Sequence, residues 1–248
     1  MPVTIYWTLV KNSPGLLDEP ERFLSPAELE KLDSFRFQKR RTDWLLGRWT
    51  AKGLLRGVQD YARFRPDRIE VQSAQGGAPR LRLPDGVPFP GCLSISHRDQ
   101  LAFCALSLAS QVSTGPHAGP RLGADLEKVE PRSEAFLADY FTPAEQAWIR
   151  GQPGELRDCA AALAWSAKEA MLKALEVGLS WDTRWVEVRQ AEGLADAGQE
   201  GWKSMQVSSA GREEHPWAAW WRRGGEYVMT VAAFGGSGSF RLVEIQQD

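Results

Sequence analysis

The fold of this chain is decided by a short pattern that it contains twice. Residues 25–28 read Ser-Pro-Ala-Glu, and residues 142–145, which lie 117 positions later, read Thr-Pro-Ala-Glu. Residues 49–52 read Trp-Thr-Ala-Lys, and residues 165–168, which lie 116 positions later, read Trp-Ser-Ala-Lys. Shorter matches before and after them keep the same order and offset. Each match alone could arise by chance, but together they favour an internal duplication.

Each copy has the pattern of a strand, a short helix, a long helix and further strands. The short helices are predicted to begin at Ser25 and Thr142, where Pro and Glu follow as in a capping box. The long helices are predicted over residues 40–56 and 156–176. Strands are expected from Val3 and near Ile69, Leu93 and 101–108, and again from Leu122 and near Val186, Val207, Trp217 and 227–234. Residues 222–225 have the composition of a hairpin turn.

The predicted fold class is α+β, with two similar lobes, each a small antiparallel sheet packed on a long helix. Residues 113–120 are rich in Gly, Pro and Ser, which is typical of a linker. We therefore expect an N-terminal lobe over residues 1–115 and a C-terminal lobe over residues 116–248. The two lobes are expected to meet across a cleft.

The composition favours a folded, water-soluble protein. The chain has 248 residues, of which 43% are hydrophobic, and a formal net charge of -2. The hydrophobic content disfavours extensive disorder, and the charge disfavours a basic surface for nucleic acid. Three scattered cysteines and three scattered histidines predict neither a disulfide framework nor a zinc site. Because no signal peptide or membrane-spanning run is recognisable, we expect a cytoplasmic protein. A single complete site between the two lobes would favour a monomer.

Two carboxylates lie close together on a predicted strand of the second copy. Residues two apart on a strand project from the same face, so Asp125 and Glu127 point together. Their mutual repulsion is relieved by a cation, and Mg²⁺ prefers oxygen ligands of this kind. The alternative is a solvent-facing strand end with two ordinary acids, and for this motif alone that alternative is the commoner.

The second long helix carries a further acid and a base. Leu163, Ala167, Ala170, Met171 and Ala174 form its apolar stripe. Trp165, Glu169 and Lys173 lie on the opposite side, with Lys168 nearer the flank. Glu169 and Lys173 are four residues apart, so a surface salt bridge explains them as well as a metal ligand beside a phosphate clamp does.

Polar and basic residues of the first copy are candidates for binding an anion. Ser96 and His97 end a predicted strand, where a lone His is more often incidental than functional. Residues 39–41 (Lys-Arg-Arg), Arg48 and Lys52 lie on the first long helix. They form either a solvated helix face or an anion-binding patch.

In combination these motifs resemble those of the 4′-phosphopantetheinyl transferases, of the large two-lobed type that activates surfactin synthetase. The matching residues are Ser96-His97, Gly123-x-Asp125-x-Glu127 and Trp165-x-x-Lys168-Glu169-Ala170-x-x-Lys173, with Gly47-Arg48 and Gly178-Leu179 beside them. The resemblance extends from about Arg36 to Leu179. The pseudo-twofold relation of the two lobes in that family agrees with the duplication.

The resemblance implies an enzyme of the holo-[acyl-carrier-protein] synthase type. Such enzymes move the phosphopantetheine arm of coenzyme A to a serine of an apo acyl or peptidyl carrier protein and release adenosine 3′,5′-bisphosphate. Asp125, Glu127 and Glu169 would bind Mg²⁺ against the coenzyme A diphosphate. Glu169, Asp125 and Lys173 would be catalytic, with Glu169 as the base for the serine hydroxyl.

The resemblance also implies a set of residues that bind coenzyme A. They are Arg41, Arg48, Lys52, Ser96, His97, Lys168 and Lys173. Cations of the first lobe would receive the 3′-phosphate, while His97 and Lys173 would bind the diphosphate. The position of Lys168 beside the Glu169 face leaves its role open, and Trp165 is expected to pack rather than to react.

The chain departs from the family pattern in one segment. Relatives often carry Gly-Lys-Pro where residues 77–80 read Gly-Ala-Pro-Arg, so a lysine near the diphosphate is missing or replaced by Arg80. We therefore expect this departure to change the affinity for coenzyme A more than the chemistry.

The duplication predicts a single active site. The positions equivalent to Asp125, Glu127 and Glu169 in the first copy are Thr8, Val10 and Gly53. The first copy therefore lacks all three carboxylates. Two alternatives stay open: a non-catalytic module that binds coenzyme A or a carrier protein, and a metal-dependent nuclease. The intact acids weigh against the first alternative and the net charge weighs against the second.

Overall fold

The chain folds into two units, each built on one long helix. The computed structural model describes residues 3–74, 76–108, 121–195, 201–210, 217–234 and 239–247. One unit consists of Met1–Pro120 with Gly238–Asp248, and the other of Arg121–Ser237. The fold is α+β, with five α-helices and three sheets in the described ranges. The predicted linker, residues 113–120, lies outside the described residues.

The first unit contains a four-stranded sheet and a two-stranded sheet. Its elements are β1 (Val3–Lys11), α1 (Pro26–Asp33), α2 (Gln38–Gly57), β2 (Glu70–Ser73), β3 (Pro79–Arg82), β4 (Gly91–Arg98), β5 (Leu101–Leu108) and, from the end of the chain, β11 (Phe240–Glu244). The strand order is β11-β1-β5-β4, and β2 pairs with β3. Helix α2 packs on this sheet, burying Leu54 and Leu55 with Leu93 and Leu106.

The second unit contains one five-stranded sheet. Its elements are β6 (Arg121–Lys128), α3 (Glu134–Tyr140), α4 (Pro143–Arg150), α5 (Gly154–Leu175), β7 (Val186–Ala191), β8 (Lys203–Ser209), β9 (Trp217–Gly224) and β10 (Tyr227–Phe234). The strand order is β6-β10-β9-β8-β7, so β6 lies at one edge. The predicted hairpin joins β9 to β10, where Gly225 adopts a positive φ of 58°.

The end of the chain belongs to the first unit, which differs from the expected boundaries and from the expected antiparallel sheet. Strand β11 lies parallel to β1, with Val3 opposite Phe240 and Trp7 opposite Glu244. An edge strand exposes unpaired backbone groups, and β11 satisfies those of β1. The C-terminal lobe therefore does not run to residue 248. A strand of five residues carries too little pattern to predict which sheet it joins.

Both predicted capping boxes form and start α1 and α4. The Ser25 hydroxyl accepts from the Glu28 amide (3.3 Å), and the Glu28 carboxylate accepts from the Ser25 amide (2.8 Å). Thr142 and Glu145 make the same two bonds at the same distances. Each box satisfies backbone donors that a helix start otherwise leaves unpaired.

Helix α5 lies unusually close to β6. The predicted stripe Leu163, Ala167, Ala170, Met171 and Ala174 is buried, as expected. A Cβ atom at Gly123 of β6 would overlap the backbone oxygen of Ala170 and lie 2.7 Å from the backbone nitrogen of Ala174. Gly123 therefore allows a helix–strand contact that any other residue would prevent.

Neither long helix has the character of a membrane span. Among the residues described, no helix is both long enough and apolar enough to cross a lipid bilayer.

Candidate active site

An acidic cluster forms in the second unit where α5 packs on β6. Asp125 and Glu127 are buried on β6, with 1% and 7% of their surface exposed. Lys173 of α5 donates to Asp125 Oδ1 (2.6 Å) and to the backbone oxygen of Ala124 (3.2 Å). Its Nζ also lies 3.8 Å from Glu169 Oε2. The structure thus brings Asp125, Glu169 and Lys173 together, as the sequence predicts.

The electrostatics of the cluster raise the pKa of both Glu169 and Lys173. Burial and repulsion by Asp125 raise the pKa of Glu169 to about 7, although Lys173 counteracts the rise. Burial alone would lower the pKa of Lys173, but attraction by Asp125 and Glu169 outweighs it and raises that pKa above its ordinary value. A carboxyl group that titrates near neutral pH is suited to accept a proton.

Glu127 is held by a residue that the motifs do not include. Arg132 donates to Glu127 Oε2 (3.0 Å), lies 3.2 Å from Glu130 and stacks over the Phe136 ring at 5.1 Å. Arg132 follows β6 in a segment without periodicity, so no sequence signal pointed to it. The cation neutralises one of the three acids, as Lys173 does for Asp125.

The residues present suit a hard divalent cation by their chemistry. Asp125, Glu127 and Glu169 offer only oxygen donors, and the pKa of Glu169 is raised by burial first and then by repulsion from Asp125 and Glu127. Their carboxylates are turned toward Lys173 and Arg132. Within the described ranges, no group of three or more His, Cys, Asp or Glu side chains is arranged to hold a metal ion. A cation would therefore compete with Lys173 and Arg132 for these oxygens.

Lys168 is buried and paired inside the second unit, which corrects its expected place among the coenzyme A-binding residues. Its side chain is fully buried, 2.8 Å from Glu145, and donates to the backbone oxygens of Thr183 (3.0 Å) and Val186 (2.6 Å). Burial lowers the pKa of Lys168, and the attraction of Glu145 counteracts the shift. Trp165 packs edge-on against Phe136, as predicted.

The first unit contains a basic cavity of about 840 Å³ beside α2. Its lining includes five side chains that carry or can carry positive charge: Lys31, Lys39, Arg40, Arg48 and His97. The aromatic rings of Phe35, Phe37 and Trp44 also line it. A cavity with this mixture suits a ligand that has both phosphates and a flat ring.

Arg48 is fixed in this cavity by its neighbours. Its guanidinium lies 4.4 Å from the Trp44 ring centre and donates to the backbone oxygen of Val71 (3.3 Å). Burial lowers the pKa of Arg48, because water is partly excluded from the charged group. At the rim, Asp43 binds Lys39 (2.8 Å) and lies 3.9 Å from His97. Arg48 and His97 therefore line the same cavity.

Three other residues of the first unit that were predicted to bind coenzyme A lie outside the lining of the basic cavity. Lys52 is fully buried, pairs with Glu28 and donates to the backbone oxygen of Phe23 (2.6 Å). Arg41 lines a separate polar cavity of about 570 Å³. Ser96 is buried and absent from the lining of the basic cavity, because alternation on β4 directs its neighbour His97 there instead.

Helical spacing could have corrected one of these assignments. Arg40, Trp44 and Arg48 are four residues apart and share one face of α2, whereas Arg41 is turned by about 100°. Lys31 lies on α1, and no spacing in the sequence relates it to this face of α2.

In the segment that departs from the family pattern, Gly77 and Pro79 line the basic cavity.

Comparison with known proteins identifies the family. The family model of the 4′-phosphopantetheinyl transferase superfamily matches residues 121–232, nearly all of the second unit. Residues 121–232 therefore have the sequence pattern of the 4′-phosphopantetheinyl transferase superfamily. The predicted family is thus confirmed, and the matched segment contains Asp125, Glu127, Glu169 and Lys173.

Two relatives extend this similarity. The chain is 29% identical over 174 residues to "4'-phosphopantetheinyl transferase HetI" of Nostoc sp., with 66% of this chain and 67% of the relative covered. It is 27% identical over 177 residues to "Phosphopantetheinyl transferase" of Thraustochytrium sp., with 65% of this chain and 55% of the relative covered. The match thus spans little more than half of the second relative.

A solved member of the superfamily is more distant. A holo-(acyl-carrier-protein) synthase from Bacillus anthracis, in complex with CoA (3',5'-ADP), is 19% identical and gives a TM-score of 0.38. The alignment covers 47% of this chain and 96% of that one. Since the TM-score is this low, the family assignment depends on the sequence matches alone.

Proposed function

We propose that this protein transfers the 4′-phosphopantetheine arm of coenzyme A to a serine of an apo acyl or peptidyl carrier protein. The observation that carries the proposal is the hydrogen-bonded cluster of Asp125, Glu169 and Lys173 inside the segment that matches the superfamily. A carboxyl group with a pKa of about 7 beside a lysine provides an acid–base pair for moving the proton of a hydroxyl group.

The proposed step is a phosphoryl transfer. The serine oxygen forms a bond to the phosphorus that carries pantetheine, the bridging bond of the diphosphate breaks, and adenosine 3′,5′-bisphosphate leaves with the electron pair. Glu169 accepts the serine proton. Lys173, which is charged and half-buried, donates hydrogen bonds to the diphosphate in place of Asp125.

Mg²⁺ is the proposed cofactor. Asp125, Glu127 and Glu169 would hold it, and when bound it would neutralise charge on the diphosphate. Lys173 and Arg132 would then be released from Asp125 and Glu127 toward the phosphates.

The basic cavity of the first unit is the proposed site for the nucleotide end of coenzyme A. Arg40 and Arg48 would receive the 3′-phosphate, with His97 at a neighbouring phosphate. An aromatic ring of the cavity would stack on the adenine. This assignment keeps Arg48 and His97 from the sequence prediction and replaces Arg41 by Arg40.

The finer classification is also part of the proposal. We assign the protein to the large two-lobed, surfactin-synthetase-activating type, with a pseudo-twofold relation between the lobes. The equivalent capping boxes at Ser25 and Thr142 and the equivalent long helices support it. We further propose a cytoplasmic monomer that does not act on nucleic acid or membranes.

Mass spectrometry of apo carrier proteins incubated with the protein, coenzyme A and Mg²⁺ tests the function. A carrier should gain one phosphopantetheine arm, and the gain should be absent with EDTA and with Asp125→Ala. Glu134→Gln is the matched control, since Glu134 is an exposed acid of the same unit that pairs with Arg150 (2.8 Å). Binding of coenzyme A without transfer to any carrier would instead support a binding module.

A further inference from the structure

Lys168 belongs to the motif of α5 and yet has no part in the proposed chemistry. Its ammonium has three acceptors, which are Glu145 at the start of α4 and the backbone oxygens of Thr183, before β7, and of Val186, the first residue of β7. A lysine ammonium has three donors, so all of them are used within the protein. Lys168 therefore ties α5 to two other segments of the unit.

Glu145 extends this connection. One carboxylate oxygen accepts from the Thr142 amide (2.8 Å), and the other accepts from the Val188 amide of β7 (2.9 Å). The ion pair, which is 0% exposed on both sides, is thus anchored to backbone at several points. Such a pair has one geometry, because any rotation of α5 would leave a buried charge unpaired.

The first unit contains the same arrangement. Lys52 of α2 pairs with Glu28 of the α1 capping box, and Glu28 accepts from the Val71 amide of β2 (3.0 Å). Lys52 and Lys168 are related by the 116-residue offset, and Glu28 and Glu145 by the 117-residue offset. In the first unit the next residue along the helix is Gly53, whereas in the second it is Glu169.

The position of Glu169 is sensitive to the rotation of α5. Gly123 sets the distance of α5 from β6. The direction in which Glu169 points depends on the rotation of the helix about its axis. A rotation of about 20° would move the end of a side chain, about 5–6 Å from the axis, by roughly 2 Å. A shift of that size would separate Glu169 from Lys173 and Asp125.

We propose that Lys168 is a positioning residue that fixes the rotation of α5 through Glu145, Thr183 and Val186, so that Glu169 stays beside Asp125 to bind a divalent cation. The inference rests on the proposed function. Lys52 holds α2 in the same way but positions no carboxylate, and so it provides a control in the same chain.

The test compares Lys168→Met with Lys52→Met by titrating each folded variant with MgCl₂ alone and following the thermal midpoint. Both variants should lose stability. Only Lys168→Met should raise the Mg²⁺ concentration for half of the maximal stabilisation, by about 10- to 100-fold, as is typical when support of a metal ligand is lost. Lys52→Met should stay within about twofold of the wild-type protein.

The inference would be overturned if the two variants needed the same Mg²⁺ concentration for half of the maximal stabilisation. It would also be overturned if Lys168→Met needed the same concentration as the wild-type protein. If Lys168→Met does not fold, Lys168→Met/Glu145→Leu is compared with Lys52→Met/Glu28→Leu, because removing both partners leaves no unpaired buried charge. Transferase activity of the wild-type protein separates the two proposals. An active protein with equal responses refutes only the role of Lys168, whereas an inactive protein without any Mg²⁺ response refutes both.

Discussion

In both units the long helix is held by a buried lysine–glutamate pair. The units differ in the residues that follow this lysine on the helix. In both, a buried lysine of the long helix pairs with the glutamate of a capping box: Lys52 with Glu28, and Lys168 with Glu145. Beyond this pair, α5 presents Glu169 and Lys173, while α2 has Gly53 and Gly57 at the equivalent positions.

The chain covers the glycine face of α2 with its own C-terminal segment. A Cβ at Gly53 would overlap Gln247, and a Cβ at Gly57 would overlap Ile245. Gln247 also donates to the backbone oxygen of Thr50 (2.8 Å). The two units therefore show that the buried lysine–glutamate pair can hold a long helix in place whether or not the helix carries the acidic residues of the candidate site. One copy has carboxylates on this face, and the other has a segment packed there.

The largest difference is expected when the effects on kcat of substitutions at the candidate site of the second unit and in the first unit are compared. Glu169→Gln should lower kcat by about 10²- to 10⁴-fold, because a positioned base is lost. Thr8→Ala, at the first-unit position equivalent to Asp125, should change kcat by less than about threefold. Steady-state rates of carrier modification measure both, and a strong effect of Thr8→Ala would contradict the single-site comparison.

The shared ion pairs should matter equally for stability. Lys52→Met and Lys168→Met should each lower the free energy of unfolding by about 3–5 kcal/mol, since each leaves a buried glutamate without its partner. Urea denaturation at neutral pH measures the loss. A loss of stability in only one of the two variants would show that the two buried ion pairs are not equivalent.

The acidic cluster should make stability depend on pH, whereas the first unit has no counterpart of Glu169. The pKa of Glu169 is about 7 in the folded protein, against 4.5 as its ordinary value. The folded state therefore binds the proton more tightly, and the stabilisation is complete below pH 4.5 and lost as pH rises through 7.

Without divalent cations, this group should contribute a loss of at most about 3 kcal/mol between pH 4.5 and 8. Glu169→Gln should flatten the profile over this range. Denaturant midpoints measured in EDTA across these pH values test it, with Glu134→Gln as the control that keeps the wild-type slope.

The smallest effects on stability are expected from substituting glycines at which another segment of the chain packs closely. Gly123→Ala should destabilise the protein by about 1–3 kcal/mol, because its Cβ meets the backbone of α5, which cannot move aside. Gly57→Ala should destabilise the protein less, since the atoms it meets belong to the side chain of Ile245 and not to the backbone of a helix. Thermal unfolding of the two variants decides the order, and a larger loss at Gly57 would reverse it.

The sequence by itself determined the local features. The duplication, both capping boxes and the buried stripe of α5 were all readable, because helix starts and helix faces depend on residues a few positions apart. The nearness of Asp125 to Glu127 on one strand face and of Glu169 to Lys173 on one helix face was readable for the same reason, whereas only the resemblance to the family placed the two pairs in one cluster. The repeat of both the lysine and the capping-box glutamate could also have signalled the two buried pairs.

Only the tertiary structure decided which cations are free to bind a ligand. Lys52 and Lys168 were both predicted to bind coenzyme A, but each is buried against a glutamate that is more than 20 positions away in the chain. Arg41 and Arg40 are neighbours in sequence and line different cavities. The membership of β11 in the first unit was equally hidden. In each case the outcome depends on which distant segment packs against the residue, and pairing across such distances leaves no periodic pattern in the sequence.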